Sequence, residues 1–594
     1  MSKVLMPIAL FLALAVLTYA YLYPGSAALF DGRTDTVMSD DTDPATLPFL
    51  YDGIISTFHK HPSYLLYGAV YVDNYDPEFG MAQWLPWNER WVVVLLSPFV
   101  PIEQISTAFV FIVLMLNAMT MYALARYLLW NRSIASGLAI AWAFCVFTRA
   151  RAKTHMAMSG TYHLPLIFLG LFLVVRGRSW RSTGFASAAF LLSATVAHYF
   201  VTTSLFLSPL FLLFFALQPE MRENWRTLSK RLVVALLPAM AFLAFNFACP
   251  VPKEARLSRE KSLPAGGENV GGQTHPFLTV YAAHPIDYFS GDISLQQSAK
   301  DPNPLRESIN NHVLENIGNG NTHERSNGIR WAILILAAAA LVGLARGKFK
   351  SDSPTQRNLI FFTIFAGITF WLSMGPDFPF AGAGLSYWLH ELVSQIRVPS
   401  RAGIGVHFAL LMMTGFLLAS NIRWRKWLQY PGVFPALMIM GYPPLVQDMP
   451  MAPMRPKIQS LQRDQGACGA GLYFPFMNQY VVNVPFYQYI QRMRGSDCAV
   501  LNTMLNKSRV SFLLQKFPPS IEYLNALPGE SATVQNLERL ARCVPLTWIV
   551  FDAAVPKGWR EQTCHQLGWT MYPDLSCVAP NKGAPLQRFP DECG

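Results

Sequence analysis

The chain carries its densest acidic cluster at Ser39-Asp40-Asp41-Thr42-Asp43-Pro44, early in the polar stretch Pro24–Arg90 between two apolar segments. Carboxylates so placed could deprotonate a hydroxyl or hold one in line for attack. Two or three together could also bind a divalent cation through oxygen ligands. Asp43 has a structural reading as well, because Asp before Pro fits a helix N-cap followed by proline at the first helical position. Asp40 and Asp41 have no such assignment beyond a solvated turn. They are the candidate catalytic residues, with Asp43 beside them as a candidate substrate contact.

Two basic groups complete the chemistry. Arg149, Arg151 and Lys153 fall within Thr148–His155, and Arg397 and Arg401 within Arg397-Val398-Pro399-Ser400-Arg401. Both could merely cap helix ends or meet lipid headgroups. Fixed guanidinium groups also pair bidentately with phosphate oxygens and neutralise a leaving group. Carboxylates and arginines on one face suggest transfer from a lipid phosphate to a hydroxyl.

The elements that must position these residues are apolar. Of 594 residues, 52% are hydrophobic and only 14% charged, with mean hydropathy +0.26, whereas soluble chains carry about a quarter charged residues. The expected class is a polytopic membrane protein. The net charge of +11 then marks cytoplasmic loops, not a nucleic-acid footprint. Segments of about 20 apolar residues give about eleven spans, near Val4–Tyr23, Ile105–Leu129, Ser133–Phe147, His163–Val175, Thr183–Phe200, Thr202–Leu217, Leu232–Ala248, Ile329–Leu344, Leu359–Met374, Val406–Ala419 and Leu428–Val446. The last is interrupted by Pro431, Pro435, Pro443 and Pro444. Trp91–Val100 is too short to cross and fits an interfacial or re-entrant segment, with Trp84, Trp87 and Trp91 at the boundary.

With a cytoplasmic N-terminus, five basic loops lie inside, among them Arg176/Arg178/Arg181 and Arg346/Lys348/Lys350/Arg357, as the positive-inside rule asks. The long loops 24–90 and 249–328 and the tail from 447 then lie outside. Residues 1–23 read as an anchor rather than a cleaved signal with Gly25–Ala28 as the cleavage region. Six of eight cysteines (Cys468, Cys498, Cys543, Cys564, Cys577, Cys593) fall in the tail, which reads as a disulfide set in an oxidising compartment. No Cys-x-x-Cys pair supports zinc. The chain thus divides into a membrane domain, 1–447, and a small α/β domain, 448–594. In the latter, strands are expected at Tyr473–Phe476, Tyr480–Val484 and Trp548–Phe551 and a helix at Val534–Cys543.

This layout resembles the GT-C-type membrane glycosyltransferases, the class of protein O-mannosyltransferases and lipid A aminoarabinose transferases. It is also similar to a widespread group of bacterial membrane proteins with GT-C-like topology. The matching stretches are Asp40–Asp43, Leu96-Ser97-Pro98, Arg149 to Leu164-Pro165-Leu166 with His155, Asn321-Thr322-His323-Glu324, Met374-Gly375-Pro376 and Arg397–Arg401. The resemblance covers most of the chain to about 447, and the order of the stretches carries it. It implies a sugar donor on a polyprenyl phosphate, an acceptor glycan, lipid or protein, and transfer at the periplasmic face of a bacterial inner membrane. It places the essential acid on Asp40 or Asp41. Asp41-Thr42-Asp43 lacks the Asp-Glu pair of the mannosyl and aminoarabinose enzymes and has the Asp-x-Asp form of metal-using members, which leaves a divalent cation open. In the second outer loop His284, Asp287 and Glu324 are candidate substrate contacts, against a reading of ordinary loop polarity.

Other classes fit less well. A transporter would bury ionisable residues within several spans, and the expected spans are nearly free of them. A polysaccharide polymerase or ligase would use the outer arginines without needing an acidic first loop, and an envelope assembly role needs neither. The orientation is directly testable. An alkaline-phosphatase fusion after Cys593 should be active and one in the Arg176–Arg181 loop inactive; the reverse pattern would overturn the topology.

Overall fold

The computed structural model of the protein describes residues 2–23, 25–32, 36–38, 51, 54–55, 58–59, 87–128, 130–154, 156–177, 179–248, 278, 282–289, 327–349, 353–376, 378, 384–392, 398–420, 434–435, 438, 451–453, 470–474, 499–500, 546–551, 557–571 and 576–579. Helices dominate. In chain order they are α1 (Ser2–Tyr21), α2 (Gly25–Phe30), α3 (Trp87–Leu96), α4 (Ile105–Tyr127), α5 (Arg132–Ala143), α6 (Val146–Thr154), α7 (His163–Arg176), α8 (Trp180–Ser193), α9 (His198–Phe206), α10 (Ser208–Ala216), α11 (Pro219–Ala248), α12 (Trp331–Ala345), α13 (Pro354–Ser373), α14 (Leu385–Leu392) and α15 (Gly403–Ser420), with α16 (Lys557–Gln566) in the tail.

Among the described residues four helical segments are long and apolar enough to cross a membrane: Ile105–Tyr127, Met156–Arg176, Glu223–Phe245 and Pro399–Ser420. The number rises to six if two bent pairs each make one span. The bends explain where the expected spans differ. Ser133–Phe147 breaks between α5 and α6 with a 43° bend. Thr202–Leu217 bends by 50° between α9 and α10, where Pro209 stands in the first turn of α10 and supplies no N–H to the preceding turn. Thr183–Phe200 is not one helix, because α8 ends at Ser193 and α9 begins at His198. Most of Leu428–Val446 lies outside the described residues.

Phe168 on α7 sits at the centre of the bundle. Its ring meets Phe214 at 5.0 Å, Phe408 at 5.1 Å, Phe362 at 5.2 Å, Phe211 at 5.7 Å and Phe365 at 5.8 Å between centroids. One residue therefore ties α7 to α10, α13 and α15. Lipid tails are as apolar as these side chains, so burial alone does not hold such helices together; close packing does, and small residues permit it. Gly405 on α15 lies against Thr369 of α13, Gly170 on α7 against Phe190 of α8, and Gly415 on α15 against the Trp130 ring.

Strand β1 (Thr36–Met38) follows α2 in the chain. It pairs antiparallel with β2 (Met451–Pro453), joining Val37 to Ala452. The described residues of the tail form a five-stranded sheet from β3 (Ala470–Phe474), β4 (Ala499–Val500), β5 (Leu546–Phe551), β6 (Thr570–Met571) and β7 (Ser576–Val578), in the order β4-β3-β5-β7-β6. β3 runs parallel to β4 and β5, and β7 antiparallel to β5 and β6. The expected strands Tyr473–Phe476 and Trp548–Phe551 thus overlap β3 and β5, while Tyr480–Val484 and the helix Val534–Cys543 lie outside the described residues. A disulfide joins Cys564 to Cys577; Cys468, Cys498, Cys543 and Cys593 lie outside the described residues.

The α13–α15 contact sets the frame. A Cβ at Gly405 would sit 2.8 Å from the Thr369 Cβ, too close for the two helices to keep their approach. Gly405→Ala should therefore destabilise the detergent-solubilised protein by about 1–3 kcal/mol. Gly367→Ala on α13 meets nothing within 4 Å and should stabilise by up to about 1 kcal/mol through helix propensity. Unfolding of the purified variants measures both, and equal effects would refute the close-contact account.

Candidate functional site

Helix α6 carries the first basic group to the end of the bundle where α7 and α15 begin. Arg151 is almost completely buried, at 1% exposure, with its guanidinium 4.1 Å from the Phe147 ring centroid. Arg149 is also buried and stands 5.9 Å from the Tyr21 ring, and the Tyr21 hydroxyl donates to the Arg149 carbonyl at 3.4 Å. A guanidinium over an aromatic face keeps its charge where water is scarce. The side chain of Lys153, and all of His155, lie outside the described residues.

The second basic group enters from the short turn Pro399–Ala402 that leads into α15. Arg401 is half-buried, with its guanidinium 5.3 Å from the Tyr199 ring; the Tyr199 hydroxyl in turn donates to the Val398 carbonyl. Aromatic contacts link the two groups. Phe147, under Arg151, meets Phe200 at 6.2 Å and His407 at 6.4 Å, and Phe200 neighbours Tyr199 at 6.3 Å. The structure thus brings Arg149, Arg151 and Arg401 to the same end of the bundle, though 250 residues separate them in sequence. Arg397 lies outside the described residues.

A polar layer from residues 282–289 and Asn327 packs beside them. In the turn Pro285–Phe289, Asp287 is fully buried and its carboxylate accepts the His284 backbone N–H at 2.7 Å. Asp287 therefore has a structural task, holding the turn, and His284 stands half-buried at its start. Tyr288 follows, buried, 2.6 Å from the Ser373 hydroxyl. Ser373 gives its proton to the Phe370 carbonyl, so Tyr288 is the donor. Burial raises the Tyr288 phenol's pKa; the Ser373 bond and the Arg151 charge oppose that rise and Asp287 adds to it. Asn327 donates its amide to the Ser400 carbonyl at 3.2 Å and accepts from the His407 ring at 3.0 Å. Gly403 is small because a Cβ there would collide with Asn327 and lie 2.7 Å from the Tyr288 hydroxyl. Met374, in the Met374-Gly375-Pro376 stretch, bridges to Ala283 and so joins α13 to the loop. Glu324 lies outside the described residues, as do Asp40, Asp41 and Asp43, beyond the end of β1.

Sequence reasoning missed a further group at the start of α3. Glu89 and Arg90 are both buried, and the Tyr51 hydroxyl donates to Glu89 Oε1 at 3.0 Å. Burial pushes the Arg90 guanidinium down to about 10, against the supporting charge of Glu89. The Tyr51 phenol is raised, by burial first and by Glu89 next. Beside them Asn88 donates to the Tyr162 hydroxyl at 2.8 Å. The signal in the sequence is an acidic-basic dipeptide between Trp87 and Trp91, at the head of an apolar run. Ionisable groups there are costly unless partnered.

No protein-family model matches the chain, and no curated protein does. Solved structures do resemble it. The arabinofuranosyltransferase AftD from Mycobacteria aligns at TM-score 0.49 and 13% identity, over 94% of this chain and 35% of that one. The oligosaccharyltransferase AglB from Archaeoglobus fulgidus, solved with an inhibitory peptide and a dolichol-phosphate, aligns at 0.44 and 11%, over 93% and 70%. ArnT from Cupriavidus metallidurans aligns at 0.38 and 11%, over 96% and 97%. The chain spans about a third of the length of AftD.

The buried phenols make stability depend on pH in a defined direction. A phenol ionises near pH 10 in the unfolded chain, and burial raises that value for Tyr51 and Tyr288 in the fold. Their contribution is therefore complete below about pH 10 and is lost as pH rises towards the folded-state values. Tyr288→Phe should unfold with a shallower loss between pH 9 and 11.5 than the parent protein. Matching slopes in denaturant titrations would show that Tyr288 titrates normally.

Proposed function

We propose that the protein is a glycosyltransferase that moves a sugar from a polyprenyl-phosphate-linked donor to an acceptor hydroxyl on the periplasmic side of the inner membrane. The observation that carries this reading is the convergence of Arg149, Arg151 and Arg401 at one end of the bundle, the end at which the acidic first loop also begins. In this scheme Asp40 or Asp41 takes the proton of the acceptor hydroxyl. The acceptor oxygen attacks the anomeric carbon, and the bond from that carbon to the donor phosphate oxygen breaks. Polyprenyl phosphate leaves as an anion.

The arginines divide the work by exposure. Arg401, half-buried, is the residue placed to touch the departing phosphate with its planar fork. Arg149 and Arg151 lie deeper and supply fixed positive potential, which acts strongly because little water screens it. Tyr288, Asn327 and Ser400 hold the turn that carries Arg401. Asp40, Asp41 and Asp43, the residues that would bind a divalent cation, lie outside the described residues, and no step here depends on one.

Membrane vesicles supplied with radiolabelled polyprenyl-phosphate sugars provide the test. Asp41→Asn should reduce transfer by about 10²–10⁴-fold, the range for a general base, while the protein still inserts. Arg401→Ala should weaken donor use, and Arg401→Lys should recover part of it because a point charge replaces the fork. Undiminished transfer in Asp40→Asn/Asp41→Asn protein, with the arginine still required, would favour an acid-independent polymerase or ligase.

A further inference from the structure

A second polar site lies at the opposite end of the same helices. α7, α13 and α15 each have one end beside Arg151, Ser373 or Arg401. Their other ends, with the start of α5, border a half-open cavity of about 230 Å³. At 1.5 Å per residue, the 20 residues of α13 and the 18 of α15 separate the two ends by about 27–30 Å, roughly the thickness of a bilayer core. That volume is below the roughly 300–1,000 Å³ of pockets that bury drug-sized ligands, so it suits a headgroup fragment and not a whole sugar-lipid.

The described lining residues have a consistent sign. Arg176, from the last turn of α7, borders the cavity with its guanidinium carbon 4.8 Å from the Phe172 ring centroid. Two helix N-termini open onto the same space. One is α5, capped by Asn131, whose side chain accepts the Ile134 N–H at 2.9 Å. The other is α13, where Ser353 caps and Pro354 and Thr355 line the wall. Each contributes a partial positive charge. Asn358, also lining the cavity, is 2% exposed. Its carbonyl oxygen accepts from Gln218 at 3.4 Å, while its amide nitrogen has no hydrogen-bond partner among the described residues. A buried donor left unmade costs about 1–3 kcal/mol, so a ligand that accepts from it gains correspondingly. Among the described residues no Asp or Glu lines the cavity.

We propose that this cavity binds a phosphate group, held by Arg176 and the Asn358 amide between the N-termini of α5 and α13. Two sources share that chemistry: the headgroup of an anionic phospholipid and free phosphate. The site is separate from the proposed transfer centre and does not depend on it. Native mass spectrometry of the full chain, titrated in separate arms with dioleoylphosphatidylglycerol and with inorganic phosphate, distinguishes them. Tighter first-site binding of the lipid identifies a headgroup site; binding of phosphate, with displacement of the lipid, identifies a site for the free ion. In either case Arg176→Gln and Asn358→Asp should weaken binding at least about tenfold, as expected for loss of a charge-assisted bond or introduction of a like charge. Arg176→Lys should fall between. Asn358→Asp keeps the side chain's shape, so its effect is readable even if Arg176→Gln disturbs folding. Failure of the parent chain to bind either probe, or equal affinity in parent and Asn358→Asp protein, would overturn the proposal.

Discussion

The aromatic packing around Phe168 is the constraint from which both ends of the molecule follow. Its ring sits against Phe214, Phe362, Phe365 and Phe408, and these belong to α10, α13 and α15. In a bilayer no water is released when such rings meet, so geometry and dispersion must do the holding. Offset and edge-on rings are suited to this because they interlock in few ways. Once α7, α13 and α15 are locked at mid-height, the positions of their ends are fixed together. Arg151 and Arg401 face one another's surroundings at one end for the same reason that Arg176 and Asn358 meet at the other.

Buried charge marks the ends. Arg90, Arg149, Arg151 and Arg330 are all buried, and each occurs at or near a helix terminus where backbone carbonyls or aromatic faces are available. Arg330, for example, donates to the Met438 carbonyl at the start of α12. Guanidinium is the cation that tolerates such sites, since it is weakly hydrated and spreads its charge over a plane. The same property makes it suited to phosphate. Exposure separates these arginines: Arg401 is half-buried where Arg149 and Arg151 are closed over.

Asp287 illustrates how a candidate changes meaning once its surroundings are known. As a residue in a long polar loop it stands beside His284 and Glu324 as a possible contact. In the fold its carboxylate accepts the His284 N–H, and Tyr288 beside it supports Ser373. The turn is a brace between residues 283–289 and α13. Through Asn327 and Gly403 it also meets the start of α15, the helix that the turn bearing Arg401 leads into.

The sequence by itself determined the class of molecule and the basic groups. Segments such as Ile105–Tyr127 and Pro399–Ser420 are legible because a bilayer demands about 20 apolar residues in a row and backbone bonds satisfied within the segment. Arg149, Arg151 and Arg401 stand out because charge at the edge of such a segment is costly without a use. What only the tertiary structure decided are the contacts between segments. The break at Cys145 and the bend at Leu207 depend on which neighbours compensate the lost helix bonds. The Tyr51–Glu89 pair, the brace through Asp287 and the cavity at Asn358 join residues 38 to more than 200 positions apart, and no periodicity within one segment encodes its partner in another. Hydropathy is a property of one stretch of chain, whereas a site is a property of the space between several.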